Sequence, residues 1–423
     1  MPLHRLLLIT LLLHLAQAAS AADWPGWRGP TGMGHTNDKK LPLIWDGKTG
    51  ENVLWKAELP LQGKGDAKAG LDQNQSSPIV VGGKVFVTIS HWPGKTEPSI
   101  PPEHHVVCYR VTDGKLLWNT TIQPGPWQFK DLRGGYTAPT PAADTERVYV
   151  VFGSSVIAAL DHDGKVLWRK DIKPFQFDVA FASSPVLFGE TVILQCDQTG
   201  KQSRLLAFDK KTGDVAWEVL RPTMNFSHST PVIAEIAGKK QLLVAGSNAL
   251  QGLDPGSGKV LWTCPASGDT VSPVFGKGLV YIDSGRGGKG YAIDPTGSGD
   301  VGKTHIKWTL EKLTEGLGSP VIAGDFLYRL QSGGVLKCIR LATGEVVYSE
   351  RLNGVSASSS PIAGPDGRVY LASAGKTFVL KAGDKFDLLA TNELGDGGPA
   401  SPAVADGKLF LKGRTMLFCI GTK

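Results

Sequence analysis

The feature that most narrows what this chain can fold into is a short phrase that it repeats. A Ser-Pro or Thr-Pro dipeptide followed by apolar residues occurs at Ser77-Pro78, Thr140-Pro141, Ser184-Pro185, Thr230-Pro231, Ser272-Pro273, Ser319-Pro320, Ser360-Pro361 and Ser401-Pro402. The eight copies lie mostly 41 to 47 residues apart, with a longer first interval of 63. After each comes a turn and an alternating run such as GGKVFV, ERVYVV, GETVIL or GRVYLA. A third short strand follows, then an Asp/Gly turn, then usually an aromatic: Trp118, Trp168, Trp217, Trp262, Trp308 and Tyr348. Alternation with a period of two, punctuated by Gly and Asp, specifies strands joined by hairpins.

Four short strands every ~40–45 residues is the pattern of a β-propeller blade. A lone blade leaves both faces open, so the blades must pack on one another in a ring. The recurring aromatic suits the gap between blades, since burying one Trp removes ~150–250 Å² from water, worth up to about 4–6 kcal/mol. The last repeat stops after its third strand, at Leu417-Phe418-Cys419-Ile420, while an orphan strand, Asn52 to Lys56, precedes the first Ser-Pro and carries Trp55. The expectation is an all-β, eight-bladed propeller of four-stranded blades over residues 51–423, its last blade closed by the N-terminal strand so that no edge is exposed.

The third strands align on one small-residue position: Cys108, Ala159, Ala207, Gly252, Ala292, Cys338, Val379 and Cys419. Three of the five cysteines therefore fill a slot that Ala or Gly fills elsewhere. Equivalent positions on different blades stand too far apart for the ~4.4–6.8 Å Cα separation of a disulfide. Buried thiols acting as small apolar groups are expected.

Residues 1–22 read as a secretory signal: His4 and Arg5, the apolar run Leu6 to Leu13, then the small residues Ala18 to Ala22. Residues 23–50 form a leader ahead of the propeller. The apolar run is too short for a bilayer span, and no other run reaches the ~18 residues needed. The first cysteine is Cys108, so no lipid anchor is expected at the cleavage site. Composition agrees with an exported globular protein: 41% hydrophobic and 20% charged residues are incompatible with disorder. A net charge of +6, spread along the chain, argues against a nucleic-acid binder. A soluble monomer in the periplasm or outside the cell is expected.

The segments LDHDGKVLW, FDKKTGDVAW and LDPGSGKVLW, with SSPIVVGGKVFV at a blade start, resemble the pyrroloquinoline-quinone-like (PQQ-like) propeller repeat and its tryptophan-docking motif. The leader DWPGWRGP is similar to that of secreted propellers common in planctomycete-type bacteria. Two branches share the resemblance. Quinoprotein dehydrogenases hold PQQ and Ca²⁺ in the central funnel, and typically carry a vicinal Cys-Cys disulfide that is absent here. The BamB-type assembly propeller is a non-catalytic lipoprotein of outer-membrane assembly. The resemblance thus implies either a binding and scaffold propeller with a protein or small-molecule ligand, or a PQQ- and Ca²⁺-dependent oxidoreductase acting on an alcohol or sugar.

Catalytic motifs are sparse. Gly285-x-Gly287-x-x-Gly290 fits a dinucleotide fingerprint, but a further strand, not a helix, follows it, so a hairpin loop is expected. Asp161-x-Asp163-Gly164 has Ile172 where an EF-hand needs Glu, and reads as a turn. His91, His104 and His105 flank the longest insertion, WPGKTEPSIPP, between the second and third strands of blade 1. Neighbours on a strand face opposite ways, so at most one of His104 and His105 joins His91 on a metal, and a solvated loop is the plainer reading.

A propeller's ligand site usually lies at the funnel mouth, lined by the segments entering the inner strands and by loops between second and third strands. Those segments supply Asp72, Asn74, Gln75, Arg133, Tyr136, Asp178, Asn225, His228 and Asp269, and the loops supply His91 and Arg286. His228 in HSTP and Tyr136 in GGYTAPTP depart from the repeat, which is where function is grafted onto regular folds. The competing reading is a polar, hydrated channel. Trp24, Trp27, Trp92 and Trp127 either offer a carbohydrate-binding surface or pack the leader and the insertion onto the ring.

Overall fold

The computed structural model describes residues 23–61, 72–128, 131–173 and 181–422. Their strands make eight sheets, each a four-stranded antiparallel blade that runs in chain order from the axis outward except in blade 8, and the blade 4 sheet gains a short fifth strand, paired in parallel, from blade 5. Blade 1 is typical, with Ile79–Val81 innermost, then Lys84–His91, Glu103–Arg110 and Leu116–Ile122. In blade 8 the inner three strands are Ala403–Ala405, Lys408–Lys412 and Met416–Ile420, and the outer strand is Val53–Glu58 from the other end of the chain. Trp55 stands opposite Cys419 in that pair, so the ring closes as the orphan strand implies. Among the described residues the only helical element is a single 3₁₀ turn, Ser332–Gly334.

The repeated dipeptide has a physical cause at the axis. Each Ser or Thr hydroxyl oxygen accepts the backbone N–H of the equivalent residue one blade earlier. Ser77 donates to Thr140, Thr140 to Ser184, Ser184 to Thr230 and Thr230 to Ser272, then on through Ser319, Ser360 and Ser401. The Ser401 N–H returns to Ser77 Oγ at 3.0 Å, closing a circle whose bonds are all 2.8–3.0 Å. The proline that follows has no N–H to leave unpaired at the crowded channel wall. Sequence repeat and ring closure are one fact.

The outer aromatics join neighbouring blades. The indole N–H of Trp55 donates to Val111 O at 2.8 Å, Trp118 to His162 O at 2.9 Å, Trp168 to Lys210 O at 2.9 Å and Trp308 to Leu341 O at 2.8 Å, each acceptor lying on the next blade. The ring lies on the glycine of the next blade's Asp/Gly turn. At Gly114, whose φ is +69°, a Cβ would stand 2.6 Å from the Trp55 ring. The small-residue slot is explained by register, because Cys108 faces Trp118, Ala159 faces Trp168, Ala207 faces Trp217 and Cys338 faces Tyr348. A small partner leaves room for the indole. All five thiols are free and buried, and burial pushes those of Cys108, Cys196 and Cys419 up to about 12, which makes them inert as nucleophiles.

Blade 5 departs from the repeat. Its third and fourth strands, Arg286–Ile293 and Ile306–Glu315, are joined by a longer loop, and Gly299–Asp300 in that loop pairs in parallel with Val260–Cys264 of blade 4. With the usual turn displaced, Trp262 donates within its own blade, to Gln241 Oε1 at 2.8 Å.

The leader crosses one end of the channel. Trp24 bridges to Val80 of blade 1, Pro25 O accepts the Ala143 N–H of blade 2, and His35 Nε2 lies 2.7 Å from Ile322 O of blade 6. Gly34 O accepts the Ala363 N–H of blade 7. These contacts all fall just after the repeated prolines, at the far end of the inner strands. Trp24 and Trp92 are 1% and 2% exposed, so packing, not an open carbohydrate platform, is their role. Trp27 and Trp127 are half-buried.

Candidate functional site

The channel holds a cavity of about 410 Å³ lined by all eight hydroxyl residues of the ring. Trp27 lines it from the leader, and Gln75, Arg133, His228, Arg286 and Glu315 line it as well. These latter residues precede the Ser/Thr-Pro positions or lie in blade 5's loop, so they form the end opposite the leader. The channel is thus crossed by the leader at one end and rimmed by polar side chains at the other.

Around the mouth the residues fall into two groups. On one side, Gln75 Nε2 donates to Arg133 O at 2.9 Å, and the exposed Arg133 guanidinium pairs with Asp131. On the other, Arg286 Nε lies 3.4 Å from Asp269 and its Nη1 3.5 Å from Glu315. The His228 N–H donates to Asp269 O at 2.7 Å, and burial, helped by Arg286, pushes the His228 imidazole down to about 4. His228 is therefore neutral at physiological pH. Asp269 is pushed above the usual carboxylate range by burial, against the pull of Arg286.

Asp72, Asn74 and Tyr136 are buried in the wall behind the mouth. Asp72 Oδ2 accepts the Tyr136 N–H at 2.6 Å and also faces Thr137. Asn74 accepts from the Ser90 N–H and from Thr137 Oγ1. Burial raises Asp72 to about 6. The Tyr136 ring packs edge-on to Trp92 and lies 5.6 Å from the His104 ring. Asn225 is exposed, with its N–H on Ser247 Oγ, and is not part of the channel lining. Asp178 lies outside the described residues.

The histidines flanking the blade 1 insertion divide as strand alternation requires. His104 faces blade 2, with Nε2 2.8 Å from Ser154 Oγ and its ring stacked on Phe152 at 4.5 Å. His91 and His105 stack on the opposite face at 4.9 Å, beside Glu103. Sequence reading missed Glu103, although its place two residues before His105 puts it on the same face of a strand. Glu315 was missed as well, because its approach to Arg286 depends on blade 5's irregular hairpin. The Gly285–Gly290 stretch is hairpin and strand, and Asp161 Oδ1 accepts the N–H groups of Asp163 and Lys165 as a turn residue does.

A calcium–quinone pair needs several carboxylate and amide oxygens on one centre. Asp72 and Asn74 use theirs inside the wall of blades 1 and 2, while Asp269 faces Arg286 on the other side of the ring. Among the described residues these candidates do not converge, and they do not fit that pair.

Residues 102–350 match the family described as outer membrane protein assembly factor BamB. The protein of that name from Moranella endobia is 24% identical over 234 residues, which are 51% of this chain and 58% of the relative. The match thus spans little more than half of the relative's length. Among solved structures, BamB from Moraxella catarrhalis superposes with a TM-score of 0.58 at 15% identity, covering 84% of this chain and 96% of that one. The quinohemoprotein alcohol dehydrogenase ADHIIG from Pseudomonas putida HK5 superposes with a TM-score of 0.52 at 12% identity, covering 95% of this chain and 81% of that one. At such identities the likeness establishes the fold, which both kinds of protein share.

Proposed function

This chain belongs to the family of the outer membrane protein assembly factor BamB, and from that premise we propose that it is an exported, non-catalytic binding and scaffold propeller. The observation that carries the proposal is the contrast between the channel's two ends. One is covered by the chain's own leader, and the other presents Arg133 and Arg286 around a hydroxyl-lined cavity. Two accessible guanidinium groups and a neutral imidazole suit carboxylate-bearing or carbonyl-rich partner segments, which they bind by charge-assisted hydrogen bonds.

The test is site-specific photo-crosslinking in the native organism. A crosslinker at Arg133 or Arg286 is expected to capture an envelope protein, whereas one at Pro30 on the leader face is expected to capture none. The same adduct from both faces would count against the mouth. Equilibrium titration with PQQ, with and without Ca²⁺ and followed by tryptophan fluorescence, tests the oxidoreductase reading. Micromolar Ca²⁺-dependent binding, or a stoichiometric redox cofactor in the native protein, would overturn the scaffold reading.

A further inference from the structure

We propose that His91, Glu103 and His105 form a binding site for one divalent transition-metal ion of the zinc class, clamping the base of the blade 1 insertion. His91 ends the strand Lys84–His91, and Glu103 begins the strand Glu103–Arg110 directly opposite it. His105 lies two residues further along, on the same face. The chain leaves the sheet after His91, forms the insertion, and returns at Glu103. The three side chains therefore sit at the neck of the longest excursion between second and third strands.

The donor set and its spacing fit the ion. Their ligand atoms all lie within 4.8 Å of one another. His91 Nε2 is 3.7 Å and His105 Nε2 3.4 Å from Glu103 Oε2. Bonds of ~2.0–2.2 Å in a tetrahedron place neighbouring ligand atoms about 3.4 Å apart. Two imidazoles and one carboxylate are a borderline-soft set suited to Zn²⁺, Co²⁺ or Ni²⁺, whereas Ca²⁺ and Mg²⁺ take oxygen ligands.

Two further observations point to a ligand. The His91 side chain has no exposed surface, yet neither of its ring nitrogens makes a hydrogen bond among the described residues. Leaving a buried imidazole unmatched costs stability, and a metal ion supplies what its lone pair lacks. His105 is oriented from behind: its Nδ1 lies 3.1 Å from Asn119 Oδ1. That oxygen accepts, so Nδ1 carries the proton and Nε2 turns its lone pair toward Glu103, the arrangement by which outer partners fix a metal-binding histidine. The Glu103 side chain is 45% exposed, which leaves an open side for a water ligand and for entry of the ion.

The experiment uses the untagged mature chain, freed of metal by a chelator and dialysed. Co²⁺ is titrated with visible absorption as the readout, and Zn²⁺ by calorimetry. One equivalent per chain is expected, with an intense tetrahedral cobalt band that Zn²⁺ displaces. His105→Gln is expected to lose at least ~100-fold in affinity, and Asn119→Ala, which removes only the orienting oxygen, about 10-fold. His162→Gln, a control far from the cluster, is expected to bind as the parent does. Thermal melts of each variant separate lost folding from lost binding, and Glu103→Gln at an exposed position provides a second ligand variant if His105→Gln unfolds. No binding at micromolar Co²⁺ and Zn²⁺ would overturn the assignment. So would stoichiometric binding that both His105→Gln and Glu103→Gln leave intact.

Discussion

Arginine occupies both ends of the channel, and the two ends use it in opposite ways. Arg28, in the leader, has no exposed surface, and its Nη2 donates to Pro320 O at 2.6 Å and to Pro361 O at 3.3 Å, on blades 6 and 7. Burial pushes it down to about 9. Arg286, at the mouth, has a side chain 46% exposed and faces Asp269 and Glu315. The first guanidinium rivets the leader to the ring, and the second is left half-exposed in ion pairs at the mouth. Burial and the kind of acceptor distinguish the two arginines here, where residue type alone does not.

The strongest way to break this comparison is to unseat the leader. Trp24 is 1% exposed and packs in the core shared by blades 1 and 8. Trp24→Ala is expected to destabilise by ~3–5 kcal/mol, as large-to-small changes at buried aromatics do. Arg133→Ala, at an exposed mouth position, is expected to stay within ~0.5 kcal/mol of the parent. Guanidinium chloride unfolding of both variants measures the contrast. An unchanged midpoint for Trp24→Ala would show that the leader is dispensable to the folded ring.

A subtler contrast lies in the wall between the ends. Lys412 is buried, and its Nζ donates to Ser76 Oγ at 2.8 Å and to Thr88 O at 3.3 Å. Burial pushes it down to about 7, with Asp72 pulling the other way. The unfolded chain keeps that lysine protonated to about 10.4. Between these values the unfolded state binds the extra proton, so stability rises with pH by about 1.4 kcal/mol per unit and is lost as pH falls through 7. From pH 7.5 to 9 the parent is expected to gain about 2 kcal/mol relative to Lys412→Met. Denaturant midpoints of the two proteins at both pH values test this, since other titrations cancel in the difference. A flat difference would mean that Asp72 holds Lys412 charged.

The repeat made the ring legible because one physical requirement, a hydroxyl and a proline at the axis, is imposed eight times. Trp55 and the unfinished last blade announced closure for the same reason: a missing part is visible against seven complete ones. The mouth was less legible. Gln75, Arg133, His228 and Arg286 do line the channel, but Asp72, Asn74 and Tyr136 stand a layer behind it. Strand alternation sets which face a side chain takes. It does not give the depth of an irregular approach segment, which depends on hydrogen bonds such as that from Tyr136 N–H to Asp72. Gly299–Asp300 escaped notice because its pairing reaches back to another blade through a loop with no alternating pattern.

The smallest expected effect tests whether the mouth is preorganised. His228 is held down first by burial and second by the Arg286 charge. Removing that charge in Arg286→Ala leaves the burial in place, so the His228 titration is expected to move upward by less than about one unit while remaining below the ordinary imidazole value of ~6.5. Imidazole NMR signals followed from pH 3 to 8 report it, with His228→Gln assigning the resonance. Overall stability is expected to change by no more than ~0.5 kcal/mol, because Arg286 is exposed and its ion pairs are screened by water. An unmoved His228 would show that the guanidinium swings clear of the mouth in solution. The contrast between a fixed leader arginine and a poised mouth arginine would then become one between a fixed and a mobile side chain.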